Sequence, residues 1–111
     1  MLNEAKKALR MTTDAYDGEI ARLLMAGALD LETVGVILPG SVSFVFGEND
    51  AVTDQSTLAD PLAMRAILTY VRMHFGSPND YERVARSYEL QKTQLMHAAN
   101  YTNYQQDGEW A

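Results

Sequence analysis

The chain contains no cysteine, and only three prolines among its 111 residues. Without a thiol there can be no disulfide staple, no thiolate metal ligand and no cysteine nucleophile, so stability has to come from packing. Positive charge is also scarce. Nine lysines and arginines stand against 15 aspartates and glutamates, a net charge of −6. Proteins that hold nucleic acid usually present a basic face, and no basic cluster occurs along this chain. No run approaches the roughly 18 apolar residues that a membrane span needs. Met1 to Arg10 mixes Glu4 with Lys6, Lys7 and Arg10 where a signal peptide would be apolar. The expectation is a cytoplasmic product with no targeting signal and no membrane partner.

Chemistry is scarce as well. Neither a GxGxxG nor a Walker-type phosphate loop occurs, and there is no HExxH. His74 and His97 stand alone on different predicted helices, where packing or a solvated surface accounts for them. Glu48, Asp50 and Asp54 resemble part of a calcium loop, but Gly47 precedes the cluster, whereas an EF-hand needs its glycine inside. No serine has an adjacent histidine or lysine pattern to activate it. No catalytic, cofactor-binding or metal-ligating residue is expected, and the chain reads as non-enzymatic.

What is present is a globular composition, with 47% hydrophobic and 22% charged residues, and a length suited to one domain. The charge is unevenly spread. Asp14 to Pro61 holds nine acids and one base, Arg22, whereas the first thirteen residues and Leu62 to Gly76 each carry a net +2.

The apolar spacing predicts a mainly α fold of about four helices with a short β-strand or hairpin insertion. Leu2 to Leu9 has a narrow apolar stripe, with Asn3 as a possible cap. A second helix follows Thr13 or Asp14 as cap. Its buried face is Ile20, Leu23, Leu24, Gly27, Ala28 and Leu31, and Gly35 is its stop. Gly27 and Ala28 are small enough to let another helix come close. Between Gly40 and Gly47 the period changes to two, which puts Val42, Phe44 and Phe46 on one face of a strand. Glu48 to Thr57 has no period and reads as a mobile polar loop.

Asp60-Pro61 signals the third helix, with Asp60 as N-cap and Pro61 at the first helical position. Its inner face is Ala63, Met64, Ile67, Leu68, Val71 and Phe75, and Gly76 ends it. Ser77-Pro78 repeats that signal for a fourth helix carrying Tyr81, Val84, Tyr88, Gln91, Leu95, Ala98 and Thr102 on one stripe. The connection is short, so the last two helices should form an antiparallel hairpin. The expected organisation is a helical domain over residues 1–103, with the insertion at 38–57, and a tail over 104–111.

Six tyrosines and one tryptophan are many for so small a chain. Tyr101, Tyr104 and Trp110 cluster at or beyond the end of the last helix, where little core remains to receive them. Large rigid aromatics are favoured at the centres of protein interfaces. These three, with Phe44 and Phe46 on the strand, are the candidate interface residues.

Two stretches carry a family resemblance. TDAYDGEIARLLMAGALDLETVGV, Thr13 to Val36, resembles the opening of the small head–tail connector proteins of tailed bacteriophages. There an acidic, tyrosine-containing turn precedes a helix ending in Asp-Leu and Gly-Val. DPLAMRAILTYVRMHFGSPNDYERVARSYELQKTQLMHAANY, Asp60 to Tyr101, is similar to that family's second half. The resemblance covers about two-thirds of the chain, and Leu38 to Thr57 falls outside it. It implies a structural virion protein at the head–tail interface, without cofactor or turnover. Such a subunit would form a homo-oligomeric ring on the portal protein, extend the DNA channel, and dock the tail or a stopper protein. DNA would pass through without being specifically bound. Glu48, Asp50 and Asp54 would then be candidate channel-facing acids, since attraction to phosphate would slow DNA. The alternative is a small helical DNA-binding regulator of a phage or mobile element, which would need a basic recognition helix. The third predicted helix carries only Arg65 and Arg72 as fully charged bases.

Overall fold

Asp60 and Pro61 start their helix as the sequence implies. The Asp60 carboxylate accepts from the Ala63 amide at 3.0 Å, and α3 runs Pro61–His74. An N-cap oxygen of this kind satisfies one of the amides that a helix start leaves without a partner. In this computed structural model, which describes residues 1–76, 79–98 and 101, α3 is the central element. It packs against α1 (Leu2–Ala8), α2 (Asp17–Thr33) and α4 (Tyr81–His97). The expected class holds: four helices among the described residues, a two-stranded antiparallel sheet, and a C-terminal helix pair.

The α3–α4 pair is antiparallel. Arg65, early in α3, donates to Gln94 late in α4 at 3.3 Å. Arg72, late in α3, donates to Asp80 at the start of α4 at 2.9 Å. The buried stripe of α4 is shorter than the spacing implies. Val84, Tyr88 and Leu95 are buried, but Tyr81 is 47% exposed. As the first helical residue, Tyr81 leans back off the end of the hairpin, because helical side chains point toward the N-terminus. The helix stops at His97, with Ala98 extended, so the helical stripe ends at Leu95. Ser77, Pro78 and Thr102 lie outside the described residues.

Helix α2 begins at Asp17, later than a Thr13 or Asp14 cap implies, and its N-cap residue, Tyr16, supplies no side-chain bond. Both expected cap side chains are engaged elsewhere. Thr13 Oγ1 accepts from Ala15 at 3.2 Å, and Asp14 binds Lys6 of α1 at 2.7 Å. Asp17 joins the same lysine at 3.0 Å, so Lys6 ties α1 to the turn before α2. The close approach read from Gly27 is present: a Cβ there would lie 3.0 Å from the Tyr70 ring of α3.

The segment expected to be an aperiodic loop is the second arm of a hairpin. β1 (Phe44–Phe46) pairs with β2 (Val52–Asp54) in antiparallel register, with Phe44 opposite Asp54. The turn uses a 3-10 element, Glu48–Asp50, with Asn49 left-handed at φ 58°, a conformation asparagine tolerates. A three-residue strand is too short for a period to show. Serine and threonine side chains also take over part of the pairing at the hairpin base. The Ser43 amide donates to Ser56 Oγ at 3.0 Å, and the Ser41 amide to Thr57 Oγ1 at 2.8 Å.

One core joins these parts. It contains Leu2 and Ala5 of α1, Ile20, Leu24 and Leu31 of α2, Phe44 of β1, Ile67 and Val71 of α3, and Leu95 of α4. Leu58, just before α3, also enters it, and its backbone passes close to Gly40. A Cβ on Gly40 would meet Leu58 Cα at 2.7 Å, and the residue sits at φ 148°. Both the space and the backbone angle exclude a side chain. Gly40→Ala should lower unfolding free energy by about 3 kcal/mol or more, read as a shift of the urea midpoint. A midpoint within error of the parent would mean that this crossing is looser than described.

Candidate assembly surfaces

The hairpin is fastened to the first helix by one carboxylate. Asp54 Oδ2 accepts from the Leu2 amide at 2.8 Å and from the Met1 ammonium at 2.7 Å. Its other oxygen accepts from the Ser56 amide at 2.9 Å. Asn3, the expected cap, is the second residue of α1, and the capping oxygen comes from β2 instead. Burial would raise the Asp54 carboxyl, but these donors outweigh it and hold the group well below the usual carboxylate range. Helix starts favour negative charge, which adds to the effect.

The other candidate channel acids are placed differently. Glu48 is exposed in the hairpin turn, and Asp50 closes the same 3-10 element. Phe44 is only 8% exposed and belongs to the core. Phe46 is half-buried, with the Arg22 guanidinium 4.5 Å from its ring centroid. Between them Val45 points outward and is 48% exposed.

Tyr101, expected at an interface, is inside the chain's own core and only 5% exposed. After α4 the backbone turns back, and the Tyr101 carbonyl accepts from the Ile37 amide at 2.5 Å. The Tyr101 hydroxyl donates to Asp60 at 2.6 Å. This bond, together with the Ala63 amide, lowers the Asp60 carboxyl from its ordinary value. One tyrosine therefore links the segment after α2, the start of α3 and the segment after α4. Spacing alone could not reveal this, because the turn after His97 interrupts the helical period. Tyr104 and Trp110 lie outside the described residues.

A second buried tyrosine closes the three-helix junction. Tyr88 of α4 donates to Asp30 of α2, and its ring lies 5.5 Å from that of Tyr70 on α3. Lys92 approaches the same carboxylate at 3.5 Å. Burial, then the bond to Asp30, pushes the Tyr88 phenol far above its ordinary value. Nothing local in the sequence marks Asp30 and Tyr88 as partners, 58 residues apart.

The outer surface carries two further features. Leu29, Ile37 and Leu90 are large apolar side chains left 61%, 44% and 73% exposed. On another side, α1 and α3 border a cleft of about 450 Å³ lined by Ala8, Ala59, Pro61, Met64 and Leu68, with Arg65 and Arg72 on its edge. Leu9, Arg10 and Phe75 line a neighbouring cleft that shares Ala8 and Arg72 with the first. The two segments that each carry +2 are thus neighbours in space.

A family model described as phage connector protein matches residues 1–102. The chain belongs to the phage connector family. The match includes the region from Leu38 to Thr57 that the resemblance of the two helical stretches left out. Comparisons with curated proteins and with solved structures gave no match. Phage connectors are structural proteins, so the relevant features of this connector are its surfaces and the bonds that hold them in shape. Among the described residues no helix is long and apolar enough to cross a membrane.

The Asp54 clamp makes a measurable claim about this connector. Asp54→Ala should cost about 1 kcal/mol, the usual loss for a helix cap, and should speed amide exchange in α1 before the other helices. Because the folded carboxyl is lowered, its contribution is present above the ordinary aspartate value and fades as pH falls below about 4. The parent's stability should therefore fall more steeply than that of Asp54→Asn on acid titration. Parallel curves for the two proteins would remove Asp54 from this role.

Proposed function

We propose that this connector subunit assembles as a ring on the portal vertex, extends the DNA channel, and presents a docking surface to the tail or a stopper protein. The family match over residues 1–102 carries the reading. The physical chemistry is in accord with it. A small subunit with one disulfide-free core can present a fixed outline to its neighbours, and repeated lateral contacts between identical outlines close into rings. Exposed apolar side chains such as Leu29 and Leu90 are the kind of surface that assembly covers. The subunit works without turnover or cofactor, in the virion at the head–tail interface, after synthesis in the host cytoplasm.

The hairpin turn suits the channel side of such a ring. Glu48 is exposed there, and Asp50 belongs to the same turn. Repeated around a ring, these acids would repel phosphate and let DNA slide. Asp54 contributes to this surface indirectly, by holding the hairpin against α1.

Mixing the protein with its portal and imaging by negative-stain electron microscopy should give a ring stacked coaxially on the portal. No association at any salt or protein concentration would overturn the reading. For the channel acids, a ring carrying Glu48→Lys should retain duplex DNA in low salt and release it as salt rises, while the parent ring retains none. A ring map with the hairpin turns facing outward would exclude Glu48 and Asp50 from the channel.

A further inference from the structure

The α1–α3 cleft and the exposed side of α2 lie on opposite sides of the subunit, and they are complementary. Building on the ring reading above, we propose that the two meet between neighbouring copies of this chain. Leu29 of one subunit enters the cleft of the next, and Glu32 turns toward Arg65 on its edge. The contact is head to tail, between two different patches of identical subunits.

Three observations support it. The first is direction. Gly27 of α2 faces α3, since a Cβ on Gly27 would lie 3.0 Å from the Tyr70 ring. At about 100° per residue, Leu29 lies roughly 200° around α2 from Gly27, and Leu68 lies roughly 160° around α3 from Tyr70. Each points away from the α2–α3 contact, so the two cannot meet within one chain. Leu29 is accordingly 61% exposed, and Leu68 lies in the cleft. The second is shape. Met25, half-buried, stands one turn before Leu29 on the same side of α2, and the pair forms a short apolar ridge. Met64 and Leu68 have the same spacing on the floor of the cleft. Helices pack by setting such ridges into such grooves. The third is charge. Glu32 is exposed about one turn after Leu29, whereas the cleft is edged by Arg65 and Arg72, with Arg10 just beyond. Arg72 is already bound to Asp80 at 2.9 Å. Arg65 makes a longer bond, 3.3 Å to Gln94, and is the readier partner. Two different patches on opposite sides of one body make a heterologous contact, the class that closes a ring of many copies, whereas a self-matching patch stops at a dimer.

The chain has no cysteine, so introduced thiols report this contact alone. A Leu29→Cys/Leu68→Cys double variant is treated with a short bis-maleimide, on portal particles and separately in concentrated solution. It should give a ladder of joined chains longer than two. Each single variant should stay unjoined, and a mixture of the two should give a joined pair. Arg65→Glu, at an exposed position, should weaken association about tenfold or more, because like charges then face each other. Adding Glu32→Arg to the same chain should restore it. The charge reversal leaves the core untouched, and so covers the case in which Leu68→Cys fails to fold. Rings on the portal with no 29–68 joining would overturn this contact and leave the ring reading standing. Joining in solution without a ring on the portal would support the contact and overturn the ring reading. No joining of the folded variant under either condition would overturn the proposal, and so would association that Arg65→Glu leaves unchanged.

Discussion

The start of a helix leaves backbone amides without partners, and burying them unpaired costs more than a typical bond contributes. At α1 and α3 this chain meets that demand with aspartates, and the positions of those two aspartates tie distant parts of the fold together. Asp60 caps α3 from the adjacent position and at the same time receives the Tyr101 hydroxyl. Asp54 caps α1 from the second strand of the hairpin. Each carboxylate thus joins a helix start to a distant part of the chain. Without them α1 would keep its Lys6 ion pairs and the segment after α4 its backbone bond to Ile37, but the hairpin would lose its bonds to the start of α1, and α3 its bond to Tyr101.

The same economy explains how an acidic chain forms a stable body. Several acids of the 14–61 segment are neutralised within the fold: Asp14 and Asp17 by Lys6, Asp30 by Tyr88 and Lys92, Asp54 by the start of α1, and Asp60 by Tyr101. Glu19 and Glu32 stay exposed on α2, and Glu48 at the hairpin turn. Folding therefore sorts the charge, with exposed acids on α2 and at the hairpin turn and arginines beside the α1–α3 cleft. For a connector, which functions through the surfaces it offers to identical and different neighbours, this sorting matters more than the net charge.

Much of the helical framework was legible from local chemistry. Asp60-Pro61, the α3 stripe, Gly27 and the Gly35 and Gly76 stops each act over a few residues, and each appears where its pattern indicates. The Val42, Phe44, Phe46 alternation likewise predicted one inward face, which Phe44 and Phe46 occupy. Reading became unreliable where a side chain was engaged at long range. Thr13 and Asp14 look like caps, but one is held within its own turn and the other by Lys6. Glu48 to Thr57 looks aperiodic because a three-residue strand paired partly through serine and threonine side chains has no room for a period. Tyr101 looks like a docking aromatic because nothing nearby shows the backbone turning back toward Ile37.

By itself, then, the sequence determined the helix-rich class, the single disulfide-free core, the helix hairpin and the likeness to phage connectors. These follow from periodicity, from proline and glycine punctuation, and from the order of two helical stretches, all of which are local properties. Only the tertiary structure decided which carboxylate meets which donor. It alone made Asp54 the cap of a helix 52 residues earlier in the chain, paired Tyr88 with Asp30, and brought two separate basic segments to one cleft. A hydrogen bond is decided by distance and direction in space, and residues far apart along the chain acquire those only once the core has closed.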